Sequence, residues 1–175
     1  MRTLVLGGAR SGKSAYAEGL FPCGPVRYVA TAVRTPDDVA WAARIDAHRA
    51  RRPTDWETVE TSDLVGVLRS PDDGVPLLVD DLGTWLTAEL DAAQAWNQPP
   101  GTIAAQCSAL VDEVAASTAH LVLVSPEVGM GVVPASASGG LFRDEIGALN
   151  AALAAECDEV QLVVAGIPLK LKGPQ

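Results

Sequence analysis

Residues 7–14 of the chain, GGARSGKS, fit the pattern GxxxxGK[ST] in full. Glycines allow positive φ and a close approach of the backbone to phosphate oxygens, and successive N–H groups of such a loop form a nest for an anion. The neighbouring residues predict a strand before the loop and a helix after it, which is the setting that this motif requires. The pattern therefore predicts a phosphate-binding loop for ATP or GTP, in which Lys13 reaches the β- and γ-phosphates and the Ser14 hydroxyl binds Mg²⁺.

A pair of acidic residues supplies the second element that this chemistry needs. The apolar run 77–79 ends in Asp80 and Asp81, so that a carboxylate stands at the end of a predicted buried strand. Because side chains alternate along a strand, only one of the two is expected to face the metal, and we choose Asp80. The alternative for Asp81 is that it caps the helix that follows.

The chain has two histidines, and His48 lies in the more basic setting. It falls in a helix predicted over 35–51, with Arg44 four positions before it and Arg52 four positions after it, so that both arginines share its face. Nearby positive charge keeps an imidazole neutral and nucleophilic, which would suit attack on a nucleotide phosphorus. From spacing alone, a histidine on a basic, solvated helix is the stronger interpretation. His120 opens a predicted strand and is expected to be a boundary residue.

Composition limits the classes of protein to consider. With 175 residues and a formal net charge of −9, the chain has the size of one domain and lacks the basic surface of a nucleic-acid binder. Four arginines nevertheless lie within nine positions, which indicates a small anionic ligand or a solvated helix face: Arg44, Arg49, Arg51 and Arg52. The three cysteines form no CxxC pair, no apolar run reaches ~18 residues, and the strand-like start of the sequence leads us to expect no signal peptide. We therefore expect a reduced, cytoplasmic protein without a membrane span.

Short apolar segments alternate with helical ones along the chain. This alternation predicts a three-layer α/β domain over residues 1–175, with a doubly wound and mostly parallel sheet. The predicted strands are 3–6, 26–30, 57–60, 77–79, 120–124 and 159–165, with 169–172 as a small edge strand. The predicted helices are 14–20, 35–51, 64–68, 84–95, 102–117 and 141–155. The stretch 129–140, rich in Gly, Pro and Ser, is expected to be a loop.

Several segments occur in one order: GGARSGKS at 7–14, YVATA at 28–32, ARIDAHRARRP at 43–53, TVE at 58–60, EVGMGVVP at 127–134, FRDEIGALN at 142–150 and GIPLKLK at 166–172. In this combination the chain closely resembles the bifunctional adenosylcobinamide kinase/adenosylcobinamide-phosphate guanylyltransferase family, over nearly its whole length. The EVGMG segment is far more specific to that family than the P-loop is. The resemblance implies a RecA-like P-loop NTPase fold and a homotrimer.

The resemblance also implies two reactions. In the first, the aminopropanol hydroxyl of adenosylcobinamide is phosphorylated by ATP or GTP. In the second, a histidine takes GMP from GTP with release of pyrophosphate and passes it to adenosylcobinamide phosphate, giving adenosylcobinamide-GDP. The family's histidine lies in an R-I-x-x-H pattern, which corresponds to His48. The nucleotide contacts that carry over are Gly7, Gly8, Ala9, Arg10, Ser11, Gly12, Lys13, Ser14, Ala30, Thr31, Ala32, Arg49, Ala50, Arg51, Arg52, Glu60 and Asp80.

The chain departs from the family pattern at two places. Some relatives have two adjacent histidines where this chain has Ala47 and His48, and relatives often carry asparagine where Pro126 precedes Glu127. Two other functions stay open on the residues alone. A small-molecule P-loop kinase would phosphorylate an alcohol and form no GMP adduct, whereas a non-catalytic, nucleotide-gated binding protein would bind nucleotide without turnover.

Overall fold

The structure, a computed structural model, describes residues 1–31, 52–70 and 74–174. Strands from all three ranges form one seven-stranded sheet. Its strands are β1 (Arg2–Gly7), β2 (Arg27–Ala30), β3 (Glu57–Glu60), β4 (Leu77–Asp80), β5 (Leu121–Pro126), β6 (Glu159–Val164) and β7 (Ile167–Lys172). They lie in the order β3-β2-β4-β5-β1-β6-β7. The β6–β7 pair is antiparallel and the other pairs are parallel, so the predicted, mostly parallel α/β sheet is confirmed.

The described helices connect these strands. They are α1 (Lys13–Gly19), α2 (Leu64–Arg69), α3 (Leu82–Ala92), α4 (Ala104–Ala116) and α5 (Ala137–Glu156), with a 3-10 helix at Ala95–Asn97. The helix predicted over 35–51 lies outside the described residues. Within the described part of the chain, no helix combines the length and the apolar character needed to cross a membrane.

Apolar side chains cover both faces of the sheet. Leu4 and Leu6 of β1 belong to a core that also takes in buried residues of α2, α3, α4 and α5. Val5, which lies between them, belongs to a second core with Ala17 of α1 and Phe21. Successive side chains of β1 therefore enter opposite cores, which explains why residues 4–6 are all apolar rather than alternating with polar ones. The layers predicted from the sequence are the layers observed.

Two helices begin earlier than predicted, because polar side chains cap their first turns. α3 begins at Leu82, two residues early, because the side chain of Asp81 caps it. α5 begins at Ala137, inside the stretch predicted to be a loop, because Ser136 Oγ accepts a hydrogen bond from Gly139 N at 3.1 Å. The loop prediction is therefore wrong from residue 137 onward: glycine and serine there belong to a capped first turn, a position where serine is favoured.

Trp85, a large residue of α3, is only 1% exposed. Its substitution therefore tests how strongly packing against the sheet stabilises this helix. We expect Trp85→Ala to lower the free energy of unfolding by about 3–5 kcal/mol, because it removes buried apolar area and leaves a cavity. Urea unfolding followed by circular dichroism measures the change. Leu171→Ala is the control, since Leu171 is 59% exposed and should change stability by less than about 0.5 kcal/mol. Equal effects of the two substitutions would contradict this account of the core.

Candidate active site

The carboxyl ends of the parallel strands bring several of the described site residues to one edge of the sheet. β1 ends at Gly7, where the predicted phosphate-binding loop begins, and β4 ends at Asp80. The strand registers pair Ala30 with both Asp80 and Glu60, so the ends of β2, β3 and β4 are level. Ligands of open α/β sheets bind at this edge. The candidate site therefore lies above β1, β4 and their neighbours.

The loop between β1 and α1 is tightly turned. Arg10 has φ +56° and Gly12 has φ +93°, both in the left-handed region. Gly12 O then accepts the hydrogen bond of Tyr16 N at 2.9 Å, and α1 begins at Lys13. Lys13 is only 7% exposed, and its Nζ lies 3.5 Å from Gly8 O. The side chain therefore folds back over the loop. This is the strand–loop–helix arrangement that the motif predicts.

The turn of the β6–β7 hairpin packs against this loop. The sequence did not predict this contact. Gly166 N donates a 2.7 Å hydrogen bond to Ser11 O. A Cβ atom on Gly12 would lie 3.2 Å from Gly166 Cα, and one on Gly7 would lie 2.8 Å from Val163 O. The hairpin and the loop therefore fit only if glycine occupies both loop positions. The one signal in the sequence is the glycine at 166, between two runs of strand-forming residues.

Gly12→Ala tests whether this loop geometry is needed for nucleotide binding. Alanine at φ +93° carries strain of about 1–2 kcal/mol and crowds Gly166, so we expect GTP affinity to fall about tenfold. Isothermal titration calorimetry with Mg²⁺ and GTP measures this. Gly19→Ala is the matched control within the next helix, because a Cβ there would meet no atom within 4 Å. Unchanged affinity in Gly12→Ala, or an equal loss in the control, would contradict the assignment.

The carboxylate of Asp80 lies between the loop and β2. Its Oδ1 accepts a hydrogen bond from Ser14 Oγ at 3.1 Å, and its Oδ2 accepts one from Tyr28 Oη at 2.5 Å. Tyr28 is 1% exposed, and burial together with the charge of Asp80 raises the pKa of its hydroxyl, which stays protonated and donates. The two residues predicted to bind a metal, Ser14 and Asp80, are thus in direct contact.

Asp81 has a different environment, in line with the alternative considered for it. It caps α3, where Oδ1 accepts a hydrogen bond from Thr84 N at 2.9 Å. Its backbone carbonyl accepts a hydrogen bond from the Thr31 hydroxyl at 2.6 Å, which ties the end of β2 to the start of α3. Burial and the neighbouring Asp80 raise the pKa of its carboxyl. Asp81 therefore fixes the backbone that carries Asp80.

Two further residues predicted to contact the nucleotide, Arg52 and Glu60, are also among the described residues. The Arg52 guanidinium lies 3.5 Å above the centre of the Tyr28 ring, and its Nη1 donates to Thr58 Oγ1 at 3.1 Å. Glu60 is the last residue of β3. The remaining predicted site residues lie outside the described part of the chain: Ala32, His48, Arg49, Ala50 and Arg51.

The end of β5 is held against the loop by a network that sequence reasoning did not assign. Glu127 N donates to Gly7 O at 3.0 Å. Asn150 of α5 donates through Nδ2 to Pro126 O at 3.1 Å and accepts from the buried Ser125 hydroxyl at 2.6 Å. Arg143 of the same helix donates to Gly129 O at 2.7 Å. The segments EVGMG and FRDEIGALN therefore meet beside the phosphate-binding loop, which the order of segments alone could not reveal.

Comparison with known proteins points to one family. The model of the family described as cobinamide kinase / cobinamide phosphate guanyltransferase matches residues 3–171. The bifunctional adenosylcobalamin biosynthesis protein CobP of Pseudomonas aeruginosa is 41% identical over 177 residues, which cover 99% of this chain and 98% of that protein. The bifunctional adenosylcobalamin biosynthesis protein CobU of Salmonella typhimurium is 40% identical and covers 98% of this chain and 100% of that protein.

Two solved structures with a similar fold are ATPases. A prototypical ATPase from the type III secretion system of pathogenic bacteria matches with a TM-score of 0.57 and 12% identity, over 97% of this chain and 56% of that chain. The ATPase EscN from the type III secretion system of enteropathogenic E. coli matches with a TM-score of 0.54 and 11% identity, over 94% of this chain and 43% of that chain. This chain thus spans about half of each, and at such identities the likeness concerns the fold alone. The predicted P-loop fold class is confirmed.

Proposed function

The chain belongs to the cobinamide kinase / cobinamide phosphate guanyltransferase family, and we propose that its phosphate-binding loop holds the nucleotide in both reactions of that family and that His48 is the nucleophile of the second. The loop serves the phosphorylation of adenosylcobinamide by ATP or GTP. His48 serves the transfer of GMP from GTP to adenosylcobinamide phosphate. The observation that carries the proposal is the contact of Ser14 with Asp80 beside Lys13, in a chain that matches the family over residues 3–171.

Phosphoryl transfer needs positioning and charge stabilisation more than covalent chemistry. Lys13 supplies a positive charge at the loop, and because the side chain is only 7% exposed, water screens that charge weakly. The oxygen of the substrate hydroxyl bonds to the γ-phosphorus and releases its proton to solvent, the bond from that phosphorus to the β–γ bridging oxygen breaks, and the nucleoside diphosphate leaves. The loop accomplishes this without a protein nucleophile.

GMP transfer does need a nucleophile, and His48 is the proposed one. Its imidazole nitrogen attacks the α-phosphorus of GTP, a phosphorus–nitrogen bond forms, and pyrophosphate leaves. A phosphate oxygen of adenosylcobinamide phosphate then attacks the same phosphorus, releases the histidine and yields adenosylcobinamide-GDP. The assignment is supported by the match of Arg44-Ile45-x-x-His48 to the family pattern and by the arginines around it, which suit an anionic substrate.

The residues at the loop fit Mg²⁺ as the partner of the nucleotide. A hydroxyl and a carboxylate oxygen, Ser14 Oγ and Asp80 Oδ1, lie 3.1 Å apart. The described residues contain no group of three or more His, Cys, Asp or Glu side chains that could enclose a metal ion. A hydroxyl and a carboxylate oxygen suit Mg²⁺, which proteins bind through one or two such ligands together with substrate phosphates. When bound, Mg²⁺ would neutralise charge on the phosphates, and Ser14 and Asp80 would hold it.

The setting of the enzyme is part of the same proposal. We propose that residues 1–175 form a single catalytic domain, that the protein works in the cytoplasm, and that it assembles as a homotrimer, as the family resemblance implies. The substrates are adenosylcobinamide, adenosylcobinamide phosphate, ATP and GTP. Glu60 and Arg52 complete the proposed nucleotide contacts, with Thr31 and Ala30 at the end of β2.

Product analysis tests the function as a whole. The purified protein is incubated with adenosylcobinamide, ATP, GTP and Mg²⁺, and the corrinoid products are identified by mass spectrometry. We expect adenosylcobinamide phosphate first and adenosylcobinamide-GDP after it. Phosphorylation without any GDP product would favour the simple P-loop kinase, and nucleotide binding without either product would favour the non-catalytic binding protein.

A further inference from the structure

Tyr28 is a buried polar residue to which neither the sequence analysis nor the proposed function gives a role. It lies in β2 within the core on the α1 side of the sheet, and its side chain is almost fully buried. Phenylalanine would fill the same space, so the ring alone does not explain the residue. A buried hydroxyl is costly unless it finds a partner. Here the partner is Asp80 Oδ2, 2.5 Å from Tyr28 Oη.

The two oxygens of Asp80 are thereby assigned to different neighbours. Oδ1 faces the Ser14 hydroxyl at 3.1 Å, on the side of the phosphate-binding loop, and Oδ2 faces Tyr28. The terminal torsion of an aspartate is soft and roughly two-fold, so the carboxylate orientation depends on such contacts. A hydrogen bond to a charged carboxylate is stronger than one between neutral groups. The Tyr28 hydroxyl is thus well placed to stop the carboxylate from turning away from Ser14.

The ring of Tyr28 is itself fixed from the opposite side. The Arg52 guanidinium lies 3.5 Å above the ring centre, within the range of a favourable cation–π contact. Arg52 is in turn held by its hydrogen bond to Thr58 of β3. The Trp56 ring, with its centre 6.4 Å from that of Tyr28, adds an aromatic neighbour. Neighbours from two sides thus leave the hydroxyl little freedom, which is what a positioning role requires.

We propose that Tyr28 is a positioning residue, whose hydroxyl orients the Asp80 carboxylate toward Ser14 so that the two can hold the metal ion of the bound nucleotide. This rests on the proposed function insofar as Ser14 and Asp80 are taken as the metal ligands. It extends that function by assigning a role to the tyrosine of the segment YVATA. Tyr28 acts through Asp80 and does not touch the reacting atoms.

Tyr28→Phe tests the proposal, because it removes the hydroxyl and keeps the ring under Arg52. Mn²⁺ serves as the probe, and its binding to the protein–GTP complex is measured by electron paramagnetic resonance. Loss of a residue that orients a metal ligand costs about 10- to 100-fold in metal affinity, so we expect the Mn²⁺ dissociation constant to rise by about that factor. GTP binding measured in the presence of EDTA, and so without a metal ion, should stay within about twofold of the wild type. A merely structural role of Tyr28 would weaken both GTP binding and Mn²⁺ binding.

Tyr16→Phe is the matched control. Tyr16 is the only other tyrosine in the chain, it lies on α1 close to the loop, and burial raises the pKa of its hydroxyl as well. We expect its loss to leave Mn²⁺ affinity unchanged. An unchanged Mn²⁺ affinity in Tyr28→Phe, or an equal loss in both variants, would overturn the proposal.

A second measurement does not depend on how well Tyr28→Phe folds. In the Tyr16→Phe protein produced with 3-fluorotyrosine, the single ¹⁹F resonance reports on position 28. We expect Mg²⁺ added to the protein–GTP complex to shift this resonance, and a resonance that does not respond would count against the proposal. Both readouts are binding measurements. They would stand even if no corrinoid product formed, so a failure of the proposed function and a failure of this inference are distinguishable.

Discussion

His48→Ala is expected to abolish the covalent GMP adduct while leaving measurable phosphorylation of adenosylcobinamide. The imidazole is the proposed nucleophile of the guanylyl step only, and loss of a covalent nucleophile costs on the order of 10⁴- to 10⁶-fold in rate. The kinase step uses the loop around Lys13 and needs no histidine. The measurement is retention of label on the protein after incubation with α-phosphate-labelled GTP, alongside a separate assay of the kinase product.

His120→Ala is the control for this prediction, because His120 is the only other histidine. It lies just before β5, whose first residue pairs with the starts of β1 and β4, so it is at the edge of the sheet opposite to the phosphate-binding loop. Its ring centre is 5.0 Å from that of Phe21, and burial lowers its pKa. The His120→Ala protein should still form the adduct. An adduct on the His48→Ala protein, or none on the control, would contradict the assignment.

Lys13→Ala is expected to impair both reactions, which separates it from the histidine variant. Removing one preorganised charge from a phosphate-transfer site costs about 10²- to 10³-fold in kcat. Lys13 is buried against the loop carbonyl of Gly8, so its loss also leaves the nucleotide without a fixed ammonium group. Single-turnover rates of phosphorylation and of adduct formation measure the two effects in one preparation.

Lys13→Arg separates charge from geometry in the same experiment. Arginine keeps the positive charge, but its planar fork differs in shape from the compact ammonium group. We expect it to recover only part of the lost rate in each reaction. If Lys13→Ala slowed phosphorylation and left adduct formation untouched, the two reactions would not share the loop, which would contradict the single nucleotide site proposed here.

Local patterns in the sequence were sufficient to predict most of the sheet and the core of the site. The continuous apolar run at β1 predicted burial on both faces, and the structure places Leu4 and Val5 in opposite cores. The spacing of Gly7, Gly12 and Lys13 predicted the loop between β1 and α1. These predictions succeed because strand burial and a phosphate-binding loop depend on neighbouring residues in the chain.

The contacts that fix the site could not be predicted in this way, because they join distant parts of the chain. Tyr28 and Asp80 are 52 positions apart, and their contact depends on β2 lying beside β4. The support of Ser11 by Gly166 depends on where the hairpin lies relative to β1. The start of α5, capped by Ser136, was missed for a different and local reason, because its Gly- and Ser-rich composition is typical of loops. Single-sequence patterns carry little information about such pairings.

The chemical nature of the GMP adduct tests the central claim most directly. Wild-type protein is incubated with α-phosphate-labelled GTP, freed of nucleotide, and divided between acid, base and adenosylcobinamide phosphate. We predict that the label is lost in acid, kept in base, as expected for a phosphoramidate on His48, and transferred to the corrinoid as adenosylcobinamide-GDP. A label that survives acid, or one that adenosylcobinamide phosphate cannot discharge, would contradict a guanylylated histidine as the intermediate.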